Sequence, residues 1–418
     1  MSRILIHLIT QPHSEYDIFG QTDYSQMAKT FREKGISCPN LGNRLWFQGL
    51  ISEISCPQNE LAYFSEAMTK EYINENFDMI IAPMANIFHA AFKSILLRLA
   101  GRFEGIRIPV YVIACGVQAD SYSEMDELCK TIKGPATAFM RNVYETGGEF
   151  ALRGYFSKEF FDRMGFPSAV VTGCPSLYQL GRNLQVPQEK CAEVTFRPLI
   201  NGNLERYQQP AKRYATAEFF DQERFFHILH DPAHSVDISQ LVRTWGYETT
   251  KWLLEDRVHL IPSMNDWRNY LQQGGFDFSF GSRIHGSIMP ILAGIPALID
   301  AGDSRTREMA EFFEIPMLGK QVSQSAKSLY EMYLQTDYSV FNRNYSEKFD
   351  AFERFLVQHG IVETINQDNS FFYWNEVNVQ PGNHDKLKEL REKFESRQLP
   401  WRSYWMLLQW KRKLAGGK

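Results

Sequence analysis

No stretch of this 418-residue chain is apolar for long enough to cross a bilayer, which takes about 20 residues in a helix. The six cysteines, Cys38, Cys56, Cys115, Cys129, Cys174 and Cys191, include no Cys-x-x-Cys pair. Neither a zinc ribbon nor a thioredoxin-type centre is therefore indicated. Cys115 and Cys174 end apolar runs and read as buried thiols. An excess of positive charge is missing too. The formal net charge is -4, so the chain offers nucleic acid no basic field, and a bound anion must be held by particular residues. Internal repeats and low-complexity tracts are absent. The apolar run of the opening MSRILIHLIT is too short for a signal peptide, and His7 interrupts it. A cytoplasmic protein in reducing surroundings is the expectation. What is plentiful is aromatic: 31 Phe and 19 Tyr bring the aromatic share to 14%, within 44% hydrophobic residues. That is enough for substantial cores in two domains of ordinary size plus further elements.

Short apolar runs alternate with segments of helical period. Strands are expected over 3–9, 79–82, 109–114, 150–153 and 169–172. Helices are expected over 40–54, 60–74, 88–99, 123–132 and 157–164, the last with Ser157 as N-cap. This alternation predicts a parallel, doubly wound α/β sheet. The run GRNLQVPQEK reads as a linker and sets a boundary between Leu180 and Glu193. Beyond it the pattern resumes. A strand over 193–200 precedes an aperiodic polar and aromatic stretch over 201–234. A helix over 237–254, a strand over 258–262 and a short helix over 264–273 follow. From 323 onward the chain reads as mostly helical, with Phe349, Phe352, Phe355 and Leu356 at helical spacing. The expected units are 1–185, 191–320 and a helical tail over 321–418 that packs back on the first unit or touches a membrane.

Residues 276–316 carry the most chemistry. The aromatic run 276–280 suits a buried strand, which Gly281 and Ser282 break. Arg283, Ile284 and His285 then open a helix to about 293, closed by Gly294, and Pro296 prevents its continuation. A strand over 297–300 leads to a helix capped by Asp303 or Ser304 that carries Arg305, Arg307 and Glu308. Arg283 and His285 thus sit at the carboxyl end of a strand and the amino end of a helix. Ligands of open α/β sheets bind there, helix N-termini attract anions, and an arginine fork suits a carboxylate or phosphate.

The segment resembles the polysaccharide pyruvyl transferase family. The features that carry the resemblance are Arg283-Ile284-His285-Gly286, Gly294-Ile295-Pro296, Asp303 with Arg305, and Ile315-Pro316. The resemblance implies two Rossmann-like domains facing across a cleft, the GT-B arrangement. It implies a ligand site that includes Arg283, Ile284, His285 and Gly286, where Gly286 lets substrate approach the backbone. Arg153, in Leu152-Arg153-Gly154-Tyr155-Phe156-Ser157, matches a family arginine followed by a serine at a helix start, with Ser157 as that serine. Gly154 stands where the family has Asp or Glu. Asn40-Leu41-Gly42-Asn43 is similar to the family's Asn-x-Gly-Asp loop, with Asn43 in place of the acid, and Cys115-Gly116-Val117-Gln118 is similar to a cleft-lining loop. Asp303 and Arg305 either close the anion pocket or form an exposed pair. The plain alternative for Arg283 is a surface arginine paired with Asp277.

The activity so implied is transfer of the pyruvyl group of phosphoenolpyruvate to two hydroxyls of a sugar in a cell-surface polysaccharide or its lipid-linked precursor, giving a cyclic ketal. Arg283 and Arg153 would bind the two oxyanions, and His285 would be the acid or a phosphate ligand. The competing enzyme class is a GT-B glycosyltransferase using a nucleotide sugar, with Glu308 holding the ribose. A non-catalytic membrane-docking partner of a glycan assembly complex is a third reading. It rests on the terminal run 400–413, which combines three tryptophans and a tyrosine with four basic residues. His227, His230 and His234 with Asp231 lie in an irregular stretch and read as exposed, solvated side chains. No metal and no cofactor is expected.

Overall fold

The computed structural model describes residues 1–7, 24–33, 40, 42–231, 233–234, 236–326, 328–365 and 384–415. Two sheets organise them. In the first, the order is β2-β1-β3-β4-β5-β6, built from β1 (Ser2–Ile6), β2 (Asn59–Tyr63), β3 (Met79–Pro83), β4 (Val110–Cys115), β5 (Glu149–Leu152) and β6 (Val170–Val171). In the second, the order is β11-β10-β7-β8-β9, built from β7 (Pro198–Asn201), β8 (Glu218–Phe220), β9 (Val258–His259), β10 (Phe278–Gly281) and β11 (Ala297–Ile299). Every pairing is parallel. The central strands MIIAP and VYVIAC are buried along their whole length, as a sheet covered by helices on both faces requires. The protein is thus α/β, two doubly wound parallel sheets in the GT-B manner followed by a helical C-terminal region.

Strand order fixes where a ligand can sit. In the first sheet the winding reverses between β1 and β3; in the second it reverses between β7 and β10. Ligands of open α/β sheets lodge beyond the carboxyl ends of strands at such reversals. Ala85 and Asn86 follow β3, while Asn201 ends β7 and Gly281 ends β10. These ends face one another across the junction of the two sheets.

Two strands escape the apolar pattern. β2 was expected as the start of a helix over 60–74; it is a half-exposed edge strand, NELAY, with a polar first half. β8, EFF, lies inside the stretch read as aperiodic and contains a charged residue, Glu218, that Arg197 pairs in place. The helix expected over 237–254 is two, Ile238–Trp245 and Tyr247–Leu254, split at Gly246. There φ is +88°, and a side chain would press within 3.2 Å of Trp405.

Past the second sheet, the helix Ser339–Gln358 returns to the first. Tyr178 stacks on Phe352 at 4.9 Å. The Tyr345 hydroxyl donates to the Leu177 and Gly181 carbonyls at 2.8 and 3.1 Å, and Tyr338 donates to the carbonyl of Ala297 on β11 at 2.7 Å. Its apolar face therefore holds both sheets in one relative position. Among the described residues no helix is long and apolar enough to cross a membrane.

Candidate functional site

The loop after β10 is shaped by a buried residue that the sequence pattern did not single out. Asn201, fully buried at the end of β7, accepts from the Arg283 backbone N–H at 3.0 Å and donates to Ser287 Oγ at 3.3 Å. A side chain at Gly281 would collide with the Asn201 carbonyl at 2.2 Å, and one at Gly286 would come within 2.9 Å of the Asn201 side chain. Gly286 is therefore needed for packing against Asn201. The only signal for Asn201 was the Asn-Gly pair that closes its strand.

Held this way, Arg283 occupies the N-cap position of the helix Ile284–Leu292 without making a side-chain cap. Its guanidinium points instead at Glu223, and the two form an ion pair. Asp277, the partner considered from sequence, accepts from the Arg197 backbone. His285 is the second residue of the same helix, lines the pocket and is 5% exposed. Its Nε2 has no hydrogen-bond partner. Burial first, then the Arg153 and Arg305 guanidiniums, hold its pKa well below the usual 6.5, so the imidazole is neutral.

Arg153 comes from the first sheet. It follows β5, where its N–H donates to the Cys115 carbonyl at 2.9 Å, and it is 2% exposed. One nitrogen donates to Asn86 Oδ1 at 3.2 Å, while Nε and Nη2 are buried without a hydrogen-bond partner. Buried guanidinium nitrogens are almost always paired. Gly116 leaves the space for this side chain, since a Cβ there would lie 3.1 Å from Arg153 Cδ and 2.9 Å from Asn86 Oδ1.

Arg153, Arg283, Ile284, His285 and Arg305 line a single pocket between the sheets, with Asn40 and Asn43 on its rim. Asn86, Gln222 and Thr306, which the sequence reading passed over, share its wall. Asn40 also shapes its own turn, its Oδ1 accepting from Gly42 N–H at 2.9 Å. Asp303 is the helix cap, accepting from Thr306 N–H at 2.9 Å, and it anchors Arg305 Nε at 2.7 Å. The pocket thus concentrates three arginines; Glu223 is bonded to Arg283 and Asp303 to Arg305, while the Glu308 carboxylate stands behind Arg153.

Ser157 and Gly116 stand behind the pocket. Ser157 is fully buried; its N–H and hydroxyl both donate to the Glu308 carboxylate, at 2.9 and 2.8 Å. Its Oγ accepts from Val117 N–H at 2.9 Å. Ser157 is thus committed to a bond between the two units, where the sequence had placed it against substrate. Glu308 is likewise spoken for, so it is not available to hold a ribose. Burial pushes its pKa up to about 7, against the hydrogen bonds from Ser157 and the charge of Arg153. Gly154 fits beneath it, since a side chain there would meet the Glu308 carbonyl at 3.0 Å and its Oε2 at 3.1 Å. The acid missing after Arg153 in sequence is in effect supplied by the opposite unit.

His230 corrects another expectation. It is half-buried rather than solvated, with Nε2 bonded to the Leu260 carbonyl at 2.7 Å and its pKa pushed down to about 4 by desolvation. Among the described residues no group of His, Cys, Asp and Glu is placed to hold a metal ion.

Residues 41–299 match the model of the family described as polysaccharide pyruvyl transferase. No curated protein matches the chain. Among solved structures, MnaA of S. aureus with UDP is 12% identical, with a TM-score of 0.37 over 87% of this chain and 98% of that one. UDP-GlcNAc 2-epimerase from Neisseria meningitidis bound to UDP-GlcNAc is 13% identical, with a TM-score of 0.35 over 94% and 100%. T4 phage BGT in complex with its UDP-glucose substrate is 11% identical, with a TM-score of 0.33 over 85% and 98%.

Proposed function

The chain belongs to the polysaccharide pyruvyl transferase family, and on that footing we propose that it moves the pyruvyl group of phosphoenolpyruvate onto a sugar of a cell-surface polysaccharide or its lipid-linked precursor, closing a cyclic ketal. The observation that carries this reading is the buried, unpartnered guanidinium edge of Arg153 beside the unpartnered His285 Nε2. The guanidinium edge can donate to an oxyanion, and so can the imidazole once it carries a proton on Nε2. Phosphoenolpyruvate brings two oxyanions, a phosphate and a carboxylate, into a pocket with three arginines.

The donor's carboxylate takes the place that Glu223 fills against Arg283, and its phosphate lies between Arg153, Arg305 and His285. A phosphate there places negative charge beside His285, which raises the imidazole pKa and favours its protonation on binding. His285 then either gives that proton to the enol methylene or stays hydrogen-bonded to phosphate. Protonation turns the methylene into a methyl and leaves an oxocarbenium-like carbon. The first sugar hydroxyl attacks it and loses its proton. The carbon–oxygen bond to phosphate breaks, phosphate departs, and the second hydroxyl adds and loses its proton to close the ring. Asn40, Asn43 and Asn86, on the first unit's side of the pocket, offer amides for sugar hydroxyls, so the acceptor enters from that side.

The test is to incubate the protein with phosphoenolpyruvate and a panel of glycans and to follow phosphate release together with the ketal methyl signal by NMR. Acceptor-dependent release with a ketal methyl, lost in Arg153→Met, is the expected result. Phosphate release without that methyl, or transfer from a UDP-sugar instead, overturns the assignment.

A further inference from the structure

The last helix, Gln398–Ala415, has two apolar faces where a docked helix needs one. Trp401, Tyr404 and Trp405 pack against the core that covers the second sheet, and Trp405 closes over Gly246. On the opposite side Met406, Leu407 and Trp410 are 56, 47 and 60% exposed. Positions three and four apart share a face of a helix, so these three form one outward patch. Exposed Met, Leu and Trp together on one helix are uncommon on a surface that meets only water.

The charge of the segment points to the patch's occupant. From Arg397 to Lys418 there are six basic residues, Arg397, Arg402, Lys411, Arg412, Lys413 and Lys418, and no Asp or Glu, although the whole chain carries a net charge of -4. Arg397, Arg402 and Lys411 are exposed. A tryptophan and aliphatic side chains rimmed by cations fit the boundary between headgroups and acyl chains of an anionic bilayer.

We propose that the outward face of this helix is a peripheral anchor that lays the second unit on an anionic lipid surface. The inner face fastens the helix to the body of the protein, and the outer face enters the interfacial layer with its cations at headgroup level. The anchor is separate from the pocket chemistry, so the two can fail independently.

Co-sedimentation with vesicles of phosphatidylcholine alone and of phosphatidylcholine with phosphatidylglycerol tests it, using the full chain and the double variant Leu407→Glu/Trp410→Glu. Leu407 and Trp410 are 47 and 60% exposed, so the variant keeps its fold, checked by an unchanged melting midpoint. The wild type should bind the anionic vesicles, with binding weakened by added salt, and the variant should bind roughly tenfold or more weakly. No binding by the wild type, or equal binding by the variant, overturns the proposal. So does a wild-type dimer that the variant converts to a monomer, since the patch would then be an interface between two copies.

Discussion

The carboxylate of Glu308 accepts both the N–H and the hydroxyl of Ser157, at 2.9 and 2.8 Å, across the junction of the two sheets. One acidic group of the second unit thus caps the start of the helix that carries Ser157 in the first. Because burial raises its pKa to about 7, the folded protein holds a proton there that the unfolded chain, near 4.5, has released. The contribution of Glu308 to stability should therefore be largest below pH 4.5 and decline as pH rises from 4.5 through 7. Measured as the difference in unfolding free energy between wild type and Glu308→Gln, it should shrink between pH 5 and 8. A difference independent of pH would show that Glu308 does not titrate in the folded state.

The Arg283–Glu223 pair predicts a change in donor affinity. Glu223 neutralises the arginine that the proposed donor carboxylate needs, and both side chains are about a third exposed. A pair of this kind is worth about 0–1 kcal/mol. Glu223→Gln should therefore lower the KM for phosphoenolpyruvate by roughly two- to fivefold and leave kcat nearly unchanged. Steady-state kinetics check it; a higher KM would mean that Glu223 orients Arg283 instead of competing for it.

His285 tests the chemical step. Its burial beside two arginines leaves no role as a resting cation, so its value to the protein lies in the loaded pocket. His285→Gln should keep the fold and lower kcat by about 10²–10⁴-fold if the imidazole delivers the proton. A rise in KM with kcat preserved would assign it to phosphate binding.

Glu53 offers a stability prediction away from the pocket. It is 1% exposed on the helix Gly42–Ile54, and neither carboxylate oxygen has a hydrogen-bond partner. Burial, then the nearby Cys174, raises its pKa well above 4.5. A buried carboxyl without partners costs about 1–3 kcal/mol. Glu53→Leu should raise stability by about that amount, and the gain should grow with pH above 4.5, where the wild type must keep its carboxyl protonated to stay folded. Urea unfolding at pH 5 and pH 8 decides it.

Much of this arrangement was legible in the residues. Continuous apolar runs such as Val110–Cys115 announced buried parallel strands, and Gly281, Arg283 and Gly294 marked the strand, cap and end around the pocket. Two strands, Asn59–Tyr63 and Glu218–Phe220, were not. Glu218–Phe220 is held by pairing with its neighbours and by the Arg197 ion pair, interactions that no local pattern records. The same holds for Ser157 and Glu308, which lie 151 positions apart; each looked like a ligand residue until the fold placed one against the other. Arg153, Arg283, His285 and Arg305 do converge, because their loops follow the carboxyl ends of β5, β10 and β11, on the side where ligands of open α/β sheets bind.

The donor site itself is tested most directly by the thermal midpoint of the purified protein with millimolar phosphoenolpyruvate, beside UDP-sugars, for wild type and Arg283→Ala. A ligand at 100 times its Kd adds about 2.7 kcal/mol to the native state, a shift of several degrees. The account predicts a rise with phosphoenolpyruvate that Arg283→Ala removes. No rise with phosphoenolpyruvate, and one with a UDP-sugar, would contradict it.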